Sequence, residues 1–121
     1  MLSFNSLLIF SENPKKLSAF YEKVLESQPG MIEGDYTGFQ VGSAYLMIGP
    51  HDKVHGKSTN PERLIFNFET PDVENEFERM KNIGATVIAE PYHPGEDTSM
   101  TLATLADIDG NYFQLATPMG K

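Results

Sequence analysis

The chain has 121 residues, 40% of them apolar and 21% charged, and no cysteine. That is enough for one buried core without crosslinks, and it excludes disulfides, thiol nucleophiles and cysteine-based zinc sites. A formal net charge of −8 repels phosphate backbones and anionic lipid, so nucleic acid and membranes are set aside as partners. A cationic ligand is modestly favoured, although carboxylates at this density serve first to keep a surface soluble.

In chain order, the opening MLSFNSLLIFSENP has no basic leader, and its apolar run Leu7 to Phe10 is too short for a signal core or a membrane span. The expected location is cytoplasmic. The same run alternates as a strand, with Leu7 and Ile9 on one side and Ser6, Leu8 and Phe10 on the other. Asn13 and Pro14 then open an amphipathic helix through Leu17, Phe20, Tyr21, Val24 and Leu25. Met31–Asp35, Thr37–Val41 and Ala44–Gly49 read as three strands, with Gly34, Gly38 and Gly42 near the turns. The polar stretch from Pro50 to Pro61 reads as a loop.

The pattern then repeats. Leu64, Phe66 and Phe68 alternate with Arg63, Ile65, Asn67 and Glu69, and Thr70-Pro71 opens a second helix through Val73, Phe77, Met80 and Ile83 that Gly84 closes. Acidic residues at its start and Arg79 and Lys81 near its end suit the helix dipole. Thr86–Glu90, Ser99–Ala106 and Asn111–Thr117 read as three further strands, with a loop from Pro91 to Thr98 and a hairpin turn at Asp109-Gly110. Pro14 and Pro71 lie 57 residues apart, and that offset lays Leu7 on Leu64, Ile9 on Phe66 and Phe20 on Phe77.

The expected fold is therefore α+β: one domain over residues 1–121, with βαβββ modules at 3–50 and 62–118 and a linker at 51–61. Each module covers one sheet face with its helix and leaves the other bare. Two such sheets curving into a half-barrel would form a cleft lined by Ser6, Leu8, Phe10, Arg63, Ile65, Asn67 and Glu69.

The run Leu17-Ser-Ala-Phe20-Tyr21-Glu-Lys-Val-Leu25 resembles the first-helix signature of the glyoxalase/bleomycin-resistance/extradiol-dioxygenase superfamily, the vicinal oxygen chelate proteins. Leu105-Ala-Asp107-Ile-Asp109-Gly110-Asn111-Tyr-Phe113-Gln114-Leu115 resembles its closing motif, with Ile108 in place of the usual proline. The resemblance covers nearly the whole chain. It implies the half-barrel fold, and it leaves the activity open, because isomerases, dioxygenases, thiol transferases and drug-binding proteins share it.

In the metal-dependent relatives, the resemblance implies ligands on the first and last strand of each half. Carried over, those positions fall on Ser6, Arg63, Met47 and Gln114. Gln114 offers an acceptable amide oxygen, Ser6 is a weak neutral donor, Met47 is soft, and a guanidinium has no lone pair to give. No metal and no other cofactor is expected. The function implied is small-molecule binding in the cleft, of which antibiotic sequestration is the best-known metal-free form, in a homodimer such as relatives commonly form. Two alternatives remain open: a lyase or isomerase in which Gln114 and Arg63 orient a substrate oxygen, and a regulatory or interaction protein.

The ligand-binding candidates are Arg63, Gln114, Ser6, Met47, Phe10, Ile65, Asn67, Tyr45 and Tyr112. Arg63 could clamp a ligand carboxylate, phosphate or enolate, or else pair with Glu69. Phe10, Tyr36, Phe39, Tyr45, Tyr92 and Tyr112 could line an aromatic pocket or fill the core, and there is no tryptophan. His51 and His55 have helical metal spacing but lie beside Pro50 and Gly56, which favours a loop; His93 near Glu96 and Asp97 could form an acid/base pair over the cleft mouth. No Ser-His-Asp or phosphate-loop pattern is present.

Overall fold

The computed structural model describes residues 1–96 and 98–119. Strand β1 (Ser6–Phe10), helix α1 (Pro14–Leu25) and strands β2 (Met31–Glu33), β3 (Tyr36–Val41) and β4 (Ala44–Gly49) come first. A 3-10 turn (Pro61–Arg63) leads into β5 (Phe66–Glu69), α2 (Val73–Asn82), β6 (Thr86–Tyr92), β7 (Leu102–Ala106) and β8 (Tyr112–Ala116). The sheets have the orders β1-β4-β3-β2 and β5-β8-β7-β6. In each, the first strand runs parallel to the last and the remaining pairs are antiparallel. The chain divides into a unit Met1–Gly56 and a unit beginning at Lys57. That boundary falls inside the expected linker, whose residues are tied to their own units. Glu12 Oε1 accepts from Gly56 N–H at 2.9 Å, and Ser58 N–H donates to the Asp109 carbonyl at 2.8 Å.

In the first unit α1 packs on β3 and β4. Its Leu17, Phe20, Tyr21 and Val24 are buried, as are Ile9, Phe39, Leu46 and Ile48 of the sheet. In the second unit α2 packs on β6, β7 and β8, burying Val73, Phe77 and Met80 with Ala103, Leu105, Phe113 and Leu115. Phe66 and Phe68 flank Phe113 with ring centroids 6.2 and 5.8 Å away. Each such side chain contributes about 1.5–3 kcal/mol by leaving water, so the strand alternation and the helix stripe are what commit the chain to this layering.

Several expected details differ. Gly34 and Gly42 do turn, both with φ 61°, but Gly38 lies inside β3, opposite Met31 and Met47. Pro91 and Tyr92 extend β6 rather than belonging to the loop, and β7 starts at Leu102. Leu64 is 79% exposed and precedes β5, so it is not the counterpart of a core residue. The second helix starts after Asp72, whose carboxylate accepts from Asn75 N–H at 3.2 Å, and not at Pro71. Asn13 caps α1 without a side-chain hydrogen bond.

The 57-residue repeat offset is also corrected. Ser11 N–H donates to Gly49 O at 3.0 Å and Thr70 N–H to Ala116 O at 2.8 Å. Ser11 Oγ accepts from Asn13 N–H at 2.9 Å, as Thr70 Oγ1 accepts from Asp72 N–H at 3.1 Å. Ser11 and Thr70, like the N-caps Asn13 and Asp72, stand 59 residues apart, while their acceptors Gly49 and Ala116 on the last strands stand 67 apart. The helices match at 56, which places Leu17, Tyr21 and Val24 on Val73, Phe77 and Met80. In α2 the buried run begins directly after the cap, and in α1 it begins nearly one turn later.

Candidate functional site

Each sheet has a face turned away from its own helix. In the first unit the register sorts that open face into rows. Ser6, Tyr45 and Gln40 form one row, and Leu8, Met47, Gly38 and Met31 the next. Phe10 lies opposite Gly49 and Tyr36 opposite Glu33, with Tyr36 one step beyond the Thr37–Ile48 pair. Leu8 and Tyr45 are exposed, while Ser6, Phe10 and Met47 are half-buried. The structure therefore brings the expected Ser6, Phe10, Tyr45 and Met47 onto one surface.

Two glycines shape this surface. A Cβ on Gly38 would lie 2.8 Å from Met47 Sδ and 3.5 Å from Met31 Cε, so both thioether side chains lie over that glycine. A Cβ on Gly49 would strike the ring of Tyr36, meeting its Cζ at 2.9 Å. Phe10 meets the His51 ring edge-on, with centroids 5.2 Å apart. Sequence reasoning missed Gly38 and Gly49. The available signal was a glycine within a strand, which marks close approach as often as a turn.

On the open face of the second unit, Asn67, Gln114 and Thr104 are neighbours across β5, β8 and β7. Gln114 Nε2 donates to Thr104 Oγ1 at 3.0 Å, which fixes the carboxamide. Tyr112 lies opposite Ala106, and Ile65, two residues before Asn67, is 41% exposed. Arg63 is the exception. It closes the 3-10 turn, exposed, outside β5, with its N–H on the Asn60 carbonyl at 3.2 Å. With strands matched at 59, Met47 opposite Leu8 corresponds to Gln114 opposite Asn67, and Ser6 corresponds to Ile65, not Arg63.

The histidines occupy loops. His51 Nδ1 accepts from Lys53 N–H at 3.1 Å, and His55 Nδ1 is 3.9 Å from Glu12 Oε2. His93 Nδ1 lies 2.9 Å from the Met100 carbonyl, so that nitrogen carries the proton. Of its expected partners, Asp97 lies outside the described residues. Among the described residues, no three His, Asp or Glu side chains are grouped to hold a metal ion.

Each of the two units is a βαβββ module with a four-stranded sheet. A family model for the glyoxalase-like domain matches residues 6–116. The chain belongs to the glyoxalase-like domain family. Among solved structures, this glyoxalase-like domain is similar to a glyoxalase/bleomycin resistance protein/dioxygenase family enzyme from Burkholderia phytofirmans PsJN, at 19% identity and TM-score 0.79, over 98% of this chain and 100% of the other. It is similar to a glyoxalase-related enzyme from Fulvimarina pelagi at 14% identity and TM-score 0.79, covering 99% and 94%. It is also similar to TioX from Micromonospora sp. ML1 at 12% identity and TM-score 0.71, covering 98% and 100%. No curated protein matches the chain.

At these identities the structural likeness speaks for the fold alone. The divalent metal of the superfamily's metal-dependent members is then tested on this glyoxalase-like domain's own donors. Matched at the 59-residue offset, the carried-over positions are Ser6 and Met47 in the first unit and Ile65, just ahead of β5, and Gln114 in the second. An alkyl side chain donates nothing, a neutral hydroxyl is weak and a thioether is soft. Gln114 donates Nε2–H to Thr104 and keeps its amide oxygen as the one competent hard donor. This donor set does not fit a catalytic divalent ion.

Proposed function

We propose that this glyoxalase-like domain binds a small molecule on its open sheet faces without the superfamily's divalent metal. The observation that carries the proposal is the chemistry of the carried-over positions, Ser6 and Met47 in the first unit and Ile65 and Gln114 in the second, which offer at most one hard oxygen donor suited to a divalent ion. Support for a ligand comes from apolar and aromatic side chains that stay accessible there, Leu8 at 54% and Tyr45 at 48%. Such surfaces gain by being covered. The homodimer and the cytoplasmic location expected from the sequence belong to the same proposal, and sedimentation velocity tests the dimer.

The deciding experiment is a thermal-shift screen on metal-stripped protein, repeated with Zn, Ni, Mn and Fe salts. A compound that binds the folded state raises the melting temperature by mass action. The expected result is stabilisation by an organic compound with no requirement for added metal. A stoichiometric divalent ion bound at Gln114, with turnover that depends on it, would overturn the proposal in favour of a lyase or isomerase.

A further inference from the structure

We infer that Asp109–Gly110 is a latent self-modification site, able to rearrange to isoaspartate, which Asp107 and the Lys57–Ser58 segment hold unreactive in the folded chain.

The sequence supplies the reactive pair. Of all the aspartates and asparagines in the chain, Asp109 alone is followed by glycine, the residue that least hinders its own backbone nitrogen. The fold demands that glycine. Gly110 turns the β7–β8 hairpin at φ 81°, in a region that residues with a Cβ rarely adopt. The turn that makes the hairpin therefore also places the labile bond in it.

The reaction needs no partner but water. Gly110 N bonds to Asp109 Cγ as the nitrogen gives up its proton and the carboxyl its hydroxyl, which releases one water and closes a succinimide. A second water reopens the ring. Cleavage between the nitrogen and Cγ restores aspartate. Cleavage between the nitrogen and the α-carbonyl leaves isoaspartate: the chain then runs through Cβ and Cγ, one atom longer, beside a free α-carboxylate. Nothing is oxidised or reduced.

The folded turn opposes the first step at both atoms. Gly110 N–H donates to the Asp107 carbonyl at 3.0 Å, so the proton that must leave is engaged. Asp109 is pinned at both of its peptide groups. Its N–H donates to Asp107 Oδ1 at 2.9 Å, and its carbonyl accepts from Ser58 N–H at 2.8 Å. With these bonds made, the peptide plane is not free to swing Gly110 N toward Cγ. Lys57 Cβ and Cδ lie 3.6 and 3.9 Å from the position that a Cβ on Gly110 would take, so this side chain covers the bond. The attacked carboxyl is less restrained. Its Oδ2 is buried and has no hydrogen-bond partner among the described residues, so that oxygen has no donor to release once the bracket opens. Rearrangement is therefore gated by local opening of this turn. Its product loses the peptide carbonyl that Ser58 holds and lengthens the connection to β8, the strand of Gln114.

The test incubates the full chain in warm, mildly acidic buffer, with and without urea, and follows it by peptide mapping that separates isoaspartyl from aspartyl peptides. In urea, isoaspartate should build up at position 109 ahead of every other aspartate. Without urea, the same conversion should run at least about tenfold more slowly. Asp107→Asn, which loosens the bracket, should speed it in the folded chain, in step with hydrogen exchange at Asp109 and Asn111, and Asp107→Ala should speed it further. Thr104→Val weakens the hairpin away from the bracket and should leave the rate unchanged. Should Asp107→Ala not fold, Asp107→Asn and Thr104→Val decide. Equal rates with and without urea, or Asp107→Asn at the wild-type rate, would overturn the inference. So would equal acceleration by Thr104→Val and Asp107→Asn, since global unfolding and not the bracket would then set the rate.

Discussion

Gln114 Nε2 donates to Thr104 Oγ1 at 3.0 Å, joining the closing-motif position on β8 to a buried hydroxyl on β7. The amide is thereby oriented by the sheet itself. Thr104→Val keeps the shape and removes the acceptor. Gln114 is half-buried and can turn to water, so the loss should be a single hydrogen bond, about 1 kcal/mol in urea unfolding. The Gln114 side-chain amide resonances should sharpen and move toward their free positions. A loss above twice that value would mean that the hydroxyl holds more than Gln114.

Arg63→Ala should be nearly silent. The side chain is exposed on the 3-10 turn ahead of β5, off the strand that was expected to aim it at a ligand. Stability should change by no more than about 0.5 kcal/mol, and a ligand found by thermal shift should keep its affinity within a factor of two. A tenfold weakening of an anionic ligand would restore Arg63 as a clamp.

The fold was legible because two periodicities dominate this chain. Leu7 and Ile9 alternate with Ser6 and Leu8, and Tyr21 and Val24 recur at helical spacing, as do Phe77 and Met80. Register was not legible to the residue. An offset of 57 lies between the 59 that matches Ser11 with Thr70 and the 56 that matches Tyr21 with Phe77. A strand slip of two residues leaves every side chain on its correct face. The alternation along β1 was therefore legible, while Arg63, expected on a strand, closes the 3-10 turn ahead of β5. The Tyr36–Gly49 contact was out of reach for another reason: it joins β3 to β4 through a missing side chain, and a sequence does not say which neighbour fills a glycine's space.

Glu26 closes α1 in the left-handed region at φ 52°, the one non-glycine with positive φ among the described residues. A Cβ there crowds the backbone, at a cost of roughly 1 kcal/mol that glycine escapes. Glu26→Gly should therefore stabilise the chain, raising the melting temperature by about 4 °C. The αL closure is kept, since the cap N–H to Glu22 O bond is a backbone bond. Calorimetry on the two proteins checks this, and a lower melting temperature would show that the Glu26 side chain contributes more than its strain costs.

Asp107 is a buried carboxylate that holds the β7–β8 turn of the second unit. It is 3% exposed at the end of β7. Its Oδ1 accepts from the N–H groups of Asp109 at 2.9 Å and Asn111 at 3.0 Å, and its Oδ2 from Asn111 Nδ2 at 3.0 Å. The tight turn is completed by Gly110 at φ 81°, with its N–H on the Asp107 carbonyl at 3.0 Å. Asp107→Ala strands two backbone donors and one amide near a buried site, so unfolding should become easier by about 3 kcal/mol. Asp107→Asn keeps one acceptor oxygen for the backbone donors but sets its own amide hydrogens against those of Asn111. It should lose roughly half as much. Hydrogen exchange at Asp109 and Asn111 is the matching local readout: strongly accelerated in Asp107→Ala, and intermediate in Asp107→Asn. Equal stability of the two variants would show that the carboxylate's charge, and not its acceptor geometry, holds the β7–β8 hairpin that carries Gln114.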